Sequence, residues 1–233
     1  MVACDRRYRL SKIKSPRPRL CLASKSAARR RLIRGLLRSS FPEFVLQTCA
    51  VDLDERALQR TFARSRGISK TGWNLTRAKA LALELAHAKR LAAERNVQVG
   101  DWVLGCDQVV LAHGQILGKP ETHKRAVEML KRFSGEKIVL VNAVSIGAMS
   151  IWAIDDVQVI EMRFATLSEA EIERVLRLDR PYGAAGSFHF ESHGANLLRT
   201  VTCDDPTGIQ GLPVMRLRKM IEVLKNQAPP ATM

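Results

Sequence analysis

Apolar residues along the chain fall into short blocks separated by polar and glycine-rich turns, and the blocks alternate between strand-like and helix-like spacing. Leu20 to Ala23 is an apolar run of strand length, and it ends in the polar Ser24-Lys25-Ser26. The following AARRRLIRGLLRS sets Leu32, Leu36 and Leu37 at roughly helical spacing, with Arg29, Arg30, Arg31, Arg34 and Arg38 around the rest. That pattern predicts a helix capped by the serines. Phe44 to Leu46 reads as a second strand, and Asn74 to Arg95 as a long helix rich in Ala and Leu. On local pattern Lys89, near the end of that helix, reads as a surface cation. Val103 to Ala112 predicts a buried strand turning at His113-Gly114, so that Gly118-Lys119-Pro120 comes back toward it. A helix over Lys124 to Phe133 follows, then strands over Lys137 to Ile146, Ile151 to Ile154 and Val157 to Phe164. Ser168, with Glu171 three residues on, is a capping signature for a helix to about Leu178. Ala184 to Glu191 reads as a glycine-containing loop or strand, and Gly211-Leu212-Pro213 opens a last helix to about Lys225.

Three polar interruptions of this pattern are candidates for chemistry. Asp107 sits inside the apolar Val103 to Ala112 run, where an unpaired carboxylate would cost several kcal/mol, so a nearby cation is expected and Lys119 is a candidate. A structural Asp capping a turn beside a solvated lysine is the plainer alternative. Ser24, the first helix turn and its arginines form a phosphate-binding pattern, or else an ordinary basic helix face. Asp52, Asp54 and Glu55 are either oxygen ligands for a cation such as Mg²⁺ or a solvated turn.

With 233 residues, 46% of them apolar, the chain can bury a full core as one α/β domain or two small lobes. No apolar run reaches the ~18 residues of a membrane span, and the five cysteines form no Cys-x-x-Cys pair. Zinc and a disulfide framework are therefore not expected, and a reducing compartment is the default. The net charge of +15 points to a polyanionic partner, either nucleic acid or a phosphorylated small molecule. Residues 1–19 carry seven cations against Asp5, and Pro16 and Pro18 break any helix there. That segment is expected to be a disordered extension, with a nucleic-acid arm and a transit-like segment as alternatives. The expected division is an extension over 1–19, a single domain over 20–225 and a disordered tail over 226–233.

In their order along the chain, Ala23-Ser24-Lys25-Ser26, Asp54-Glu55, Leu85-Ala86-His87-Ala88-Lys89, Gly105-Cys106-Asp107-Gln108-Val109 and Gly118-Lys119-Pro120 resemble motifs of the Maf family of nucleotide pyrophosphatases. Leu167 to Ile172, Ala185 to Glu191 and Gly211-Leu212-Pro213 continue the resemblance, which covers about residues 20 to 224. It implies an elongated, inosine triphosphatase-like α/β fold: a mixed sheet flanked by helices, with a deep cleft between two lobes. The implied activity is hydrolysis of a nucleoside triphosphate to a monophosphate and pyrophosphate with Mg²⁺ or Mn²⁺, in a homodimer; a cytoplasmic setting is expected, with no membrane partner and nucleic acid not the expected partner. By carry-over, Asp107 is the proton acceptor and Ser24, Arg29, Lys89 and Lys119 hold the triphosphate, while Glu55 and Asp107 hold the metal. Gln108 and Glu191 are similar to the branch acting on 7-methyl-GTP, whereas the dTTP and UTP branch more often has Thr and Gln there. Ala28 departs from both, standing where the first branch has Trp and the second Arg. The rival from another class is a basic nucleic-acid-binding regulatory protein, for which no helix-turn-helix or aromatic RNA-binding signature is present.

Overall fold

The computed structural model describes residues 17–49, 51–98, 100–148 and 152–227. Its sheet is built on β3 (Trp102–Ala112), β5 (Lys137–Ala148) and β6 (Trp152–Phe164), which pair antiparallel along nearly their whole lengths. On the other edge of β3, β1 (Arg19–Leu22) pairs in parallel with Trp102 to Leu104, and β4 (Gln115–Leu117) pairs antiparallel with Val110 to Ala112. Gly105 to Val109 therefore has no strand neighbour on that edge, and the gap opens the sheet to the cleft described below. Outermost lie β2 (Val45–Thr48), parallel to β1, and β7 (Leu198–Thr202), antiparallel to β6.

Strand alternation gives β3 two different faces. On one face Leu104 and Cys106 pack with α1 (Ala27–Ser40) and α6 (Val214–Gln227), while Val110 and Ala112 pack with α4 (His123–Phe133) and α5 (Glu169–Asp179). These are two separate apolar clusters, and they are the cores of the two expected lobes. On the opposite face α2 (Glu55–Ser65) and α3 (Leu75–Glu94) cover Val109, Val141 and Ala143. Ala78, Ala82 and Ala86 line the buried side of α3, so the helix lies close to the sheet. At Gly105 the approach is so close that a Cβ would come within 2.1 Å of the Ala86 carbonyl oxygen, so only glycine fits there.

Most of the periodic segments form the expected elements, and His113 and Gly114 form the two-residue turn with both φ positive. Several expectations are corrected. The two runs expected separately over 151–154 and 157–164 are one strand from Trp152 to Phe164, because β5 pairs with β6 from Ala148 through Lys137, and Ile151 lies outside the described residues. Helix α2 was not foreseen; Asp54 caps it by accepting from the Ala57 N–H, at 2.8 Å. Strand β7 was also missed. Arg19, within the expected extension, belongs to β1 and forms a two-pronged pair with Asp101. Helix α6 runs two residues past 225. Apart from these residues, the expected extension and tail lie outside the described residues. Cys21 and Cys49 form a disulfide, their Cα atoms 6.0 Å apart. Local Cys-x-x-Cys spacing could not reveal this pair, because the parallel β1–β2 pairing brings together residues 28 apart in sequence.

Candidate active site

The nine residues to which the resemblance gives a role line one cleft of about 770 Å³ at the gap in the β3 edge: Ser24, Ala28, Arg29, Glu55, Lys89, Asp107, Gln108, Lys119 and Glu191. Asp107 points to the α3 face and Gln108 to the opposite face, so the two border the gap from both sides of the sheet. Lys89 extends the buried Leu81-Leu85 line of α3 by one more step of four. It is buried, which corrects the surface reading and identifies the cation that Asp107 requires. Its Nζ lies 2.6 Å from Asp107 Oδ1 and 2.6 Å from Glu55 Oε1. The four-residue spacing was the signal available in the sequence, and composition at position 89 masked it.

Burial alone works to lower the pKa of the Lys89 ammonium; Asp107 and then Glu55 outweigh both burial and the nearby Arg29, and hold it above the ordinary lysine value. Burial would raise the Glu55 carboxyl, but Lys89, joined by Lys119 and Arg29, brings it below the usual range. Lys119 stands exposed on the cleft wall, which agrees with its charge reaching Glu55 rather than with the buried pairing to Asp107 first expected of it. Asp107 Oδ2 has no hydrogen bond among the described residues and stays accessible from the cleft.

The opposite wall starts where β1 enters α1. Ser24 Oγ accepts from the Ser26 N–H at 3.2 Å, and Ser26 caps α1 through the Arg29 N–H. The Arg29 side chain donates through Nε to the Gly211 carbonyl (2.9 Å) and through Nη1 to the Cys106 carbonyl (3.1 Å), which lies on the strand-free stretch of β3. Arg29 thus ties α1 to β3 through Nη1 and to the turn before α6 through Nε, and Nη2 makes no hydrogen bond among the described residues. Gly211 has φ +91°, and a Cβ there would meet Arg29 Nε at 3.0 Å. Serine, backbone N–H groups and two kinds of cation facing a carboxylate are suited to gripping a phosphate chain while a proton is taken from water.

Glu55 and Asp107 direct oxygens at a single point, now held by Lys89. Among the described residues no cluster of three or more His, Cys, Asp and Glu side chains is placed for a metal. Two carboxylates meeting at one point are a donor set that could serve a cation of the Mg²⁺ type, which takes one or two carboxylates and completes its shell with water and substrate phosphate. Asp54 caps α2 through Oδ1, and it and Asp52 line the cleft beside Glu55.

Sequence reasoning did not anticipate Arg56 and Glu121, which line the cleft and form an ion pair across its mouth. Nor did it flag Asn142 and Gln158, amides buried on β5 and β6 behind Gln108. A lone amide inside the apolar KIVLVNAVSIGA was the available signal. Glu191 stands exposed on the cleft wall.

Comparison with known proteins supplies the context. The family described as Maf-like protein matches residues 19–224. The chain is 34% identical over 206 residues to a 7-methyl-GTP pyrophosphatase of Burkholderia orbicola, covering 88% of this chain and 89% of that one. It is 36% identical over 208 residues to one of Pseudomonas savastanoi pv. phaseolicola, covering 88% and 95%. A third, from Polaromonas sp., is 40% identical over a shorter 143-residue stretch that spans 61% of this chain and 65% of that one. Among solved structures, a HAM1 protein from Coxiella burnetii matches at a TM-score of 0.45 and 13% identity, covering 88% of this chain and 99% of that one; the likeness is too loose to bear on function.

Proposed function

Because the chain belongs to the Maf family, we propose that it hydrolyses a nucleoside triphosphate to the monophosphate and pyrophosphate, with 7-methyl-GTP or another modified nucleotide as substrate. The observation that carries this reading is the Lys89 ammonium bonded at 2.6 Å to both Asp107 and Glu55 in the cleft that Ser24, Arg29 and Lys119 also line. Hydrolysis of a phosphoanhydride needs a positioned water, an acceptor for its proton and cations where charge builds on the leaving group. Asp107 meets the second need: Lys89 holds Oδ1, and Oδ2 is left to accept the proton as the water oxygen bonds to phosphorus. The bridging P–O bond then breaks, and pyrophosphate leaves against Arg29, Lys89 and Lys119. Ser24 and the exposed N–H groups of the first α1 turn orient the phosphate chain.

A divalent cation, Mg²⁺ or Mn²⁺, held by Glu55 and Asp107 would neutralise phosphate charge. Lys89 would then release at least one carboxylate and turn to the phosphates, a change its flexible stem allows. Relatives bearing the name 7-methyl-GTP pyrophosphatase, together with Gln108 and Glu191, support a guanine-type base, and Ala28 leaves that pocket without an aromatic platform from α1. No helix among the described residues is long and apolar enough to cross a membrane. A cytoplasmic homodimer clearing unwanted nucleotides from the cell is the setting we propose. The test is a triphosphate panel, including 7-methyl-GTP, GTP, dTTP and UTP, with Mg²⁺ or Mn²⁺, scored separately for pyrophosphate and orthophosphate. Pyrophosphate in equal amounts with monophosphate is expected; orthophosphate as the first product, or no product from any triphosphate, would refute the assignment.

A further inference from the structure

Between the two apolar clusters on the even-numbered face of β3, three amides stand side by side on neighbouring strands. Gln108, Asn142 and Gln158 are register partners across β3, β5 and β6. Gln108 Nε2 donates to Asn142 Oδ1 at 2.9 Å, and Asn142 Nδ2 donates to Gln158 Oε1 at 3.0 Å. Gln158 Nε2 in turn donates to Asp204 Oδ1 (2.9 Å) and to the Asp205 carbonyl (2.8 Å). Asn142 and Gln158 are essentially inaccessible to solvent.

An isolated amide can be turned end for end, but this chain cannot. Asp204 is an acceptor only, since hydrogen bonds from Arg216 and then Gln158 hold its carboxyl at about 2, and backbone carbonyls are acceptors always. Gln158 must therefore present its nitrogen to Asp204 and Asp205, which leaves its oxygen for Asn142. Asn142 must present its nitrogen to that oxygen and to the Gly208 carbonyl, at 2.8 Å. Gln108 then faces Asn142 Oδ1, the Gly208 carbonyl (3.1 Å) and the Ile209 carbonyl (3.4 Å), all acceptors, so its nitrogen points inward. Gly208 makes this crowding feasible, because a Cβ there would lie 1.8 Å from Gln158 Oε1. Gln108 Oε1 has no hydrogen bond among the described residues and is not buried, and Gln108 lines the cleft.

We infer that Asn142 and Gln158 are positioning residues for substrate choice: together with the Gly208 and Ile209 carbonyls they lock the Gln108 amide with its carbonyl oxygen facing the cleft, as a fixed acceptor for a base whose edge carries N–H donors. Glu191, on the same cleft, adds a second group that only accepts when ionised. A 2-amino-6-oxopurine edge offers N1–H and the 2-amino group to such a pair, whereas the N1 of adenine would place an acceptor against an acceptor. The inference rests on the nucleotide reading proposed above.

The experiment compares guanosine and adenosine triphosphates in two assays, kcat/KM for pyrophosphate release and binding affinity for their α,β-methylene analogues, which cannot be cleaved at that bond. Wild type is compared with Gln108→Leu and with the double variant Asn142→Leu/Gln158→Leu. The double replacement removes both buried partners together, so neither leaves the other unpaired. The guanine-over-adenine ratio should fall about tenfold in Gln108→Leu and in the same direction, about threefold or more, in the double variant. A purely structural role would weaken both nucleotides equally, and an unchanged ratio or a uniform loss in either folded variant overturns the inference. Should the double variant not fold, the ratio in Asn142→Ala, which removes the acceptor facing Gln108 Nε2, decides. Should wild type bind the analogues yet release no pyrophosphate, the pyrophosphatase assignment falls, and the binding ratios still decide the role of the amides.

Discussion

At the scale of single residues, Asp107 has one oxygen tied to Lys89 and one open to the cleft, which separates its structural task from its chemical one. Asp107→Asn keeps the shape and one carbonyl oxygen for Lys89 while removing the proton acceptor. Turnover should fall by about 10²–10⁴-fold with nucleotide binding and the thermal midpoint largely kept, as measured by steady-state kinetics and calorimetry; near-wild-type kcat in pure protein would rule out Asp107 as the base. The Lys89 group also sets a pH window. Glu55 has a lowered folded pKa, so its contribution to stability is present above the ordinary carboxylate value and is lost as pH falls through the lowered one. Lys89 has a raised folded pKa, so its contribution is present below the ordinary lysine value and is lost as pH rises through the raised one. The thermal midpoint of the ligand-free protein should show a plateau between about pH 5 and about pH 10. In Lys89→Met the alkaline descent caused by this group should disappear. Because Glu191 is exposed, Glu191→Gln should shift the ratio of kcat/KM for 7-methyl-GTP over UTP only about threefold, less than a desolvated carboxylate would. Ala28→Trp should raise that ratio by adding a stacking face for a cationic base.

At the scale of elements, the distance between α3 and β3 controls whether Lys89 reaches Asp107 at all. Small residues on the buried side of α3 and the absent side chain at Gly105 set that distance. Gly105→Ala would drive a methyl group into the Ala86 carbonyl, so the helix must move outward or the strand must bend. We expect a loss of about 1–3 kcal/mol in denaturant unfolding, with a fall in kcat beyond what the remaining folded fraction explains. A variant as stable and as active as wild type would mean that α3 can retreat without moving the lysine. Helix α1 is placed in a similar way from its N-terminal turn, where Arg29 bonds the carbonyls of Cys106 and Gly211 and brings the Ser24 turn to the strand-free part of β3.

At the scale of the whole molecule, the cleft draws on segments from Ala23 to Gly211. The family match begins at residue 19. Removing residues 1–16 should therefore leave kcat and KM within about twofold of wild type at physiological salt, where exposed charges beyond about 8 Å are largely screened. A rise in KM that vanishes at high salt would instead show that the basic segment steers the nucleotide. Chelation of divalent ions should abolish turnover and Mg²⁺ or Mn²⁺ should restore it, as followed by pyrophosphate release. Activity that persists in excess chelator would refute a metal held by Glu55 and Asp107.

Much of this molecule can be read from sequence because it is local. Ser26 before an arginine-rich helix, Ser168 with Glu171, and His113-Gly114 between apolar runs each specify a cap or a turn through atoms only a few residues apart. The motif spacing also named nine positions that converge on one cleft. What the tertiary structure decided involves residues far apart in sequence. Asp107 can be buried because α3 delivers Lys89 from 18 positions away, and no pattern at either site states that distance. The Cys21–Cys49 pair, the merging of two apolar runs into β6 and the pairing of Gln108 with Asn142 and Gln158 all follow from strand register, which is settled only when whole strands choose partners. Sequence therefore determined which chemical groups the protein has and the local elements that carry them. Packing determined which groups meet and, for the Gln108 amide, which end faces the cleft, because only neighbours from other strands can distinguish its oxygen from its nitrogen.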